Sequence, residues 1–231
     1  MEALIFFVGV IGNIISVLVF LSPVKTFARI VKHKTTEEFE SLPYICTLLN
    51  SSLWTYYGII KPDAYLVATV NGFGVVVELI YVALFISFAR LPSIKAKTAI
   101  QFGVIDVGFL VVAALTTYFA LQGDARIDAI GFISSALNIV MYASPLAAMK
   151  RVMTTKSVEY MPFLLSFFLF LNGGVWTVYA VLAQDWFLGV PNAIGLVLGI
   201  IQLALYAIYN TQPSKHSHHT DPLLPVSDES N

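Results

Sequence analysis

The chain has 231 residues, 58% hydrophobic and 12% charged, with a mean hydropathy of +0.79 and a formal net charge of -1. This is too apolar for an ordinary soluble domain and places the chain in a membrane. A single cysteine, Cys46, excludes an intramolecular disulfide, Cys/His metal-site spacing is absent, and the few basic residues leave no nucleic-acid footprint.

A bilayer core about 30 Å thick needs about 20 apolar residues per helix. Hydropathy predicts seven such spans, near 4–22, 42–60, 65–88, 98–120, 127–149, 162–182 and 187–209. The first begins almost at residue 1 but lacks a basic leader and a clear cleavage site, so it reads as a retained helix and not a signal peptide. From Thr211 onward Pro, Ser, His and Asp dominate, and 211–231 reads as a disordered cytosolic tail. His216, His218 and His219 belong to that tail, where flexibility explains them better than a metal. Its Asp221-Pro222-Leu223-Leu224 contains a dileucine whose acidic residue is off the usual sorting-signal spacing.

Basic residues set the orientation, because cytosolic loops carry the excess of Lys and Arg. Lys25, Arg29, Lys32 and Lys34 follow the first span; Arg90, Lys95 and Lys97 follow the third; Lys150, Arg151 and Lys156 follow the fifth; Lys215 lies in the tail. Only Lys61 and Arg126 fall on the other side. The N-terminus is therefore expected outside or in a lumen, and the C-terminus in the cytosol.

The chain also repeats itself. A shift of 122 residues superimposes Gly9 on Gly131, Ser22-Pro23 on Ser144-Pro145, Arg29 on Arg151, Lys34 on Lys156, Trp54 on Trp176, Tyr57 on Tyr179 and Asp63 on Asp185; at 121, Asn71 falls on Asn192. The first three spans thus return as the last three. Both copies keep their basic loop on the same side, so the fourth span is an inversion linker. The expectation is an all-α membrane protein of two parallel triple-helix bundles in a 3+1+3 order: 1–92, linker 93–124, then 125–210.

The duplicated polar residues point to a site. Asn71 and Asn192 lie about six residues inside the non-basic ends of their spans, as do Trp54 and Trp176, which puts all four roughly 9 Å below that surface at 1.5 Å per residue. An amide in hydrocarbon costs free energy unless it finds partners, so two at equivalent depths indicate a shared polar site, with interhelical bonding as the alternative. Each amide offers a donor and an acceptor to vicinal hydroxyls, and an indole face packs on the C–H face of a sugar ring. None of the four is charged, which suits a neutral polyol. For the Trp pair, and for Tyr57 and Tyr179 one turn above it, an interfacial aromatic belt is the competing reading. As an outer gate, those tyrosines would bond across the mouth near Asp63 and Asp185. Pro23, Pro43, Pro145 and Pro162 mark the basic ends of four spans, as kinks or, for Pro43 and Pro162, as helix starts where proline is tolerated.

On these residues the chain resembles the SWEET, or MtN3/saliva, sugar transporters. The resemblance rests on Phe20-Leu21-Ser22-Pro23, Ser41-Leu42-Pro43-Tyr44, Thr69-Val70-Asn71-Gly72, Ala143-Ser144-Pro145-Leu146, Tyr160-Met161-Pro162-Phe163 and Val190-Pro191-Asn192, and covers about residues 3–210. SWEETs are already known for parallel repeats about an axis along the membrane normal, so the resemblance implies that geometry. It implies that the four prolines form a tetrad bending around an inner gate, and it implies homo-oligomers. Lys34-Thr35-Thr36-Glu37-Glu38 and Leu169-Phe170-Leu171-Asn172-Gly173 resemble the plant group assigned to the vacuolar membrane. In the family the position of Trp54 can be much smaller. Two large rings here imply a monosaccharide, fructose or glucose, in preference to sucrose.

Only Glu78 and Asp106 are acidic and well inside predicted spans, and the repeat mate of Glu78 is Gly199. A symmetric proton relay is therefore not expected, and facilitated diffusion without a cofactor is favoured. The partners expected are the monosaccharide, membrane lipid and further copies of the chain, with no nucleic acid. A seven-helix receptor is the competing class; the internal duplication and near-absent loops stand against it. A sugar-permeable channel is the other alternative. An enzyme is not expected, because no His lies in a span to serve as a base.

Overall fold

The structure, a computed structural model, describes residues 1–159 and 161–210. The predicted tail with its histidines and dileucine lies outside the described residues. In chain order the helices are α1 (Glu2–Phe20), α2 (Val24–His33), α3 (Leu42–Ile60), α4 (Tyr65–Phe88), α5 (Pro92–Gln101), a π-helical stretch (Phe102–Phe109), α6 (Leu110–Ala120), α7 (Asp124–Met141), α8 (Ala143–Thr155), α9 (Phe163–Leu182) and α10 (Trp186–Tyr209).

α1 and α2 follow one path bent at Leu21-Ser22-Pro23. Proline has no N–H to give the carbonyl of Val19, and the Ser22 N–H takes it instead at 3.0 Å in a tighter turn. The same break recurs at Tyr142, between α7 and α8, just before Pro145. Loops had been expected after both spans. Helix continues because apolar residues return at helical spacing: Phe27 and Ile30 are buried beneath α2, Met149 and Val152 beneath α8, and the lysines face out. Both extensions end on a left-handed lysine, Lys34 (φ 51°) and Lys156 (φ 57°).

Among the described residues, six helical segments are long and apolar enough to cross a membrane by themselves. The seventh crossing, α3, is more polar, with Asn50, Ser51, Ser52 and Thr55 in its middle. Its surroundings explain the difference: α4, α7 and all three parts of the linker pack around α3, which buries eight residues where α1, of the same length, buries three. The exposed apolar side chains instead include Phe6, Phe7 and Ile14 of α1 and Phe119 of α6.

Within each unit the third helix sits between the other two: α4 contacts α1 and α3, and α10 contacts α7 and α9. Across the units α1 meets α9 and α3 meets α7, the two halves of one pseudo-twofold relation. Two triple-helix bundles joined by the linker therefore face each other through their first and second helices. Lipid tails are as apolar as leucine, so close packing supplies the attraction. Gly9 and Gly131 show how: a Cβ on Gly9 would lie 2.9 Å from the Tyr179 ring, and one on Gly131 2.9 Å from that of Tyr57, each ring arriving from the other unit.

Candidate functional site

Between the units lies a cavity lined by Trp54, Trp176, Asn71 and Asn192, the four residues expected from the sequence. α3 and α9 bring the indoles, and α4 and α10 the amides. Each amide is fixed in the same way. Nδ2 donates to the carbonyl one turn back, Asn71 to Val67 at 2.9 Å and Asn192 to Leu188 at 2.8 Å. Among the described residues the second N–H and the oxygen of each make no side-chain hydrogen bond.

Local structure holds the amides at equal heights. Pro191, inside α10, removes the N–H that would serve the Phe187 carbonyl, and the Ser135 hydroxyl of α7 donates to it at 2.5 Å. In the first unit the matching carbonyl, Leu66, accepts from Asn13 of α1 at 3.0 Å. Asn13 is the repeat mate of Ser135, so both units brace the helix carrying the amide from their first helix.

Four further polar residues line the cavity: Ser16, Asn50, Asn138 and Asn172. They are two more repeat pairs, Ser16 with Asn138 and Asn50 with Asn172. Trp176 Nε1 donates to Ser16 Oγ at 2.9 Å, and that hydroxyl donates to Asn172 Oδ1 at 2.6 Å. Asn50 Oδ1 is buried without a partner, an acceptor free for a solute hydroxyl. A signal for one pair was present: Asn50 precedes Trp54, and Asn172 precedes Trp176, by one helical turn. Sequence reasoning missed it by treating the duplicated Trp alone.

The end away from the basic loops is shut. Trp54 and Trp176 each meet the tyrosine one turn above, Tyr57 or Tyr179, edge-on at 5.2 Å, and all four rings are at most 5% exposed. Tyr57 donates to both carboxylate oxygens of Asp185 at 2.9 and 3.0 Å, Lys61 reaches Asp185 at 2.7 Å and Tyr57 at 2.9 Å, and the Leu188 N–H completes the carboxylate's set at 3.1 Å. This latch joins α3 of one unit to α10 of the other. The paired Asp–Tyr arrangement is not repeated. Asp63 is exposed, in left-handed backbone (φ 60°), and no hydrogen bond joins it to Tyr179 among the described residues.

The cause is a change of register. α3 and α9 end 122 residues apart, whereas α4 and α10 begin 121 apart, so the first loop holds one residue more. Asp63 therefore matches Gln184, also left-handed at φ 54°, and Asp185 matches Ala64 at the helix N-cap. Only Asp185 is aimed inward.

All four prolines stand at helix starts: Pro23 caps α2, Pro43 is the second residue of α3, Pro145 the third of α8, and Pro162 caps α9. Pro23 and Pro145 also lie at the bends of otherwise continuous paths. For Pro43 and Pro162 the helix-start alternative describes what is seen.

A family model described as "Sugar efflux transporter for intercellular exchange" matches residues 6–93 and again 128–214. The chain is 60% identical to the bidirectional sugar transporter SWEET17 of Arabidopsis thaliana, over 90% of this chain and 87% of that protein. It is 57% identical to SWEET16 of the same plant, over 92% and 93%. A solved eukaryotic SWEET transporter matches with a TM-score of 0.88 at 40% identity, covering 91% of this chain and 99% of that one. Two copies of the triple-helix unit, an uncharged cavity between them and relatives aligned almost end to end agree: the chain belongs to the MtN3/saliva family of sugar transporters, the SWEETs.

Proposed function

We propose that this SWEET carries monosaccharides, fructose and glucose, down their gradients across the vacuolar membrane by alternating access. Asn71 and Asn192 bind the ring hydroxyls, Trp54 and Trp176 pack on its faces, and the units 1–92 and 125–210 rock about the cavity on either side of the linker 93–124. One observation carries this reading: four duplicated, uncharged groups converge on a single cavity between the units. Tyr57 and Asp185 form the outer gate, Tyr179 and Asp63 flank its mouth without bonding across it, and the proline tetrad bends at the inner end.

The N-terminus is lumenal and the C-terminus cytosolic, following the basic loops. The motifs Lys34-Thr35-Thr36-Glu37-Glu38 and Leu169-Phe170-Leu171-Asn172-Gly173, which resemble the vacuolar plant group, support the membrane assigned. The two units already make one pathway, so the homo-oligomer serves stability or regulation, and no cofactor is needed. The test is radiolabelled fructose, glucose and sucrose flux in proteoliposomes. Saturable hexose flux that exceeds sucrose flux supports the reading; equal sucrose flux overturns the preference, and non-saturable flux favours a channel.

A further inference from the structure

The two units share one plan, so each shows what fits the matched space of the other. In the first unit that space, on the basic-end side of the amides, is filled by rings: Phe27 stacks on Tyr81 at 4.3 Å and 8°, and Tyr44 packs edge-on against both, at 4.8 and 5.8 Å. The matched positions in the second unit hold Met149 for Phe27, Ser166 for Tyr44 and Gln202 for Tyr81, and Gly199 takes the place of Glu78. Three rings are lost, and a cavity of about 400 Å³ opens among α7, α8, α9 and α10. It is a side pocket of the central cavity, since Asn138, Asn172 and Asn192 line both. Its wall is mostly apolar, with Met141, Met161, Leu165, Leu169 and Leu198 around it. Two polar groups interrupt that wall. Ser166 and Gln202 are only 2% and 5% exposed, and neither side chain makes a hydrogen bond among the described residues.

An apolar pocket that opens from a sugar site and carries buried, unbonded polar groups suits an aromatic group with a polar end. We infer that the protein binds aryl glycosides, with the sugar in the central cavity, whose role as the sugar site this reading assumes, and the aromatic aglycone in the side pocket. A phenolic hydroxyl on that aglycone meets Ser166 and Gln202. The depth fits: Ser166 lies six residues before Asn172 on α9, about 9 Å, which is the reach from a sugar ring to the far end of one aromatic ring on its glycosidic oxygen. The ring takes the place that the side chains of Tyr44 and Tyr81 occupy in the first unit. Because those rings already fill the first-unit space, the glycoside binds in one orientation, and because it uses the same amides as the hexose, it competes with the hexose. A second sugar in the side pocket would strand its hydroxyls against leucine and methionine, so the preference for a monosaccharide over sucrose is unaffected.

Equilibrium titration of the full chain in lipid nanodiscs tests this with 4-hydroxyphenyl, phenyl and methyl β-glucoside, which share one sugar. The expected result is that 4-hydroxyphenyl β-glucoside binds at least about tenfold tighter than methyl β-glucoside, the low end of what burial of one aromatic ring supplies. Phenyl β-glucoside falls between the two, and fructose displaces all three. Ser166→Tyr, which restores the first-unit ring, brings both aryl glucosides down to the affinity of methyl β-glucoside. Ser166→Ala combined with Gln202→Leu erases only the difference between the two aryl glucosides, and it decides alone if Ser166→Tyr fails to fold. Affinity ratios are read within each variant, so a change in hexose affinity does not enter them. Equal binding of aryl and methyl glucosides by the parent overturns the inference and leaves the sugar site standing. An aryl advantage unchanged in the variants, or hydroquinone binding as tightly as its glucoside, overturns it as well. Binding of neither fructose nor any glucoside would overturn the sugar reading itself, and this inference with it.

Discussion

At the scale of single residues, Asn71 and Asn192 owe their readiness to what they have already given away. One amide hydrogen of each closes on the preceding turn, which fixes the side-chain rotamer and leaves a donor and an acceptor facing the cavity. Losing one partner from a desolvated hydrogen-bonded pair costs about 1–3 kcal/mol, or roughly 5- to 150-fold in binding. Asn71→Ala and Asn192→Ala each lower hexose kcat/KM within that range, while circular dichroism and detergent-stable yield stay unchanged. Survival of full flux in both variants would reduce the amides to packing groups. Trp54 is more open to replacement than Trp176, since Trp176 is also tied through Ser16 to Asn172 and Trp54 makes no counterpart bond among the described residues. Trp54→Ser therefore widens the cavity without breaking a side-chain hydrogen bond and admits sucrose. Disaccharide uptake that stays at background in this variant, with hexose flux retained, counts against a size limit set by the two rings.

Among the elements, the duplicated helices were legible and the loops between them were not. The asparagine and tryptophan pairs stand at equal depths in identical residues, so a shift of 121 or 122 finds them. Ser16 and Asn138 escaped because the pair is not identical. The pairing of Asp63 with Asp185 failed because a one-residue difference in loop length is invisible when both copies retain an aspartate nearby. The resulting single latch is measurable. Asp185 is buried and accepts from Tyr57, Lys61 and the Leu188 N–H, so removing its charge leaves Lys61 uncompensated. Asp185→Asn weakens outer closure and raises the outward-open population. In a Trp186→Phe background, which removes the exposed indole, acrylamide quenching of Trp54 and Trp176 increases relative to the parent. Asp63→Asn leaves quenching unchanged, because Asp63 holds nothing across the mouth. Quenching that rises equally in both variants would restore a symmetric gate. At the other end, Pro23→Ala supplies an N–H at the bend and lets α1 run on into α2. Sugar binding persists by equilibrium titration while flux falls several-fold; flux equal to the parent would remove Pro23 from the hinge.

For the molecule as a whole, the source of free energy is decided by what lies along the path. The acids well inside the predicted spans are Glu78 and Asp106, and neither lines the central cavity. Both are buried, and among the described residues one carboxyl oxygen of Glu78 and both of Asp106 make no hydrogen bond. Neither has an acidic repeat mate, and a proton moving with the sugar would have no group to occupy in either unit. At the closed end of the route, Lys61 and Asp185 are bonded to each other. In the proposed cycle that latch breaks, the units rock and the prolines bend, with the sugar gradient alone setting direction. In proteoliposomes with an acidic interior, fructose therefore equilibrates and does not accumulate above the bath, and the plateau is the same when the pH difference is collapsed by an ionophore. Glu78→Gln keeps that plateau and most of the initial rate. Ionophore-sensitive accumulation that disappears in Glu78→Gln would instead make the carboxyl a proton site.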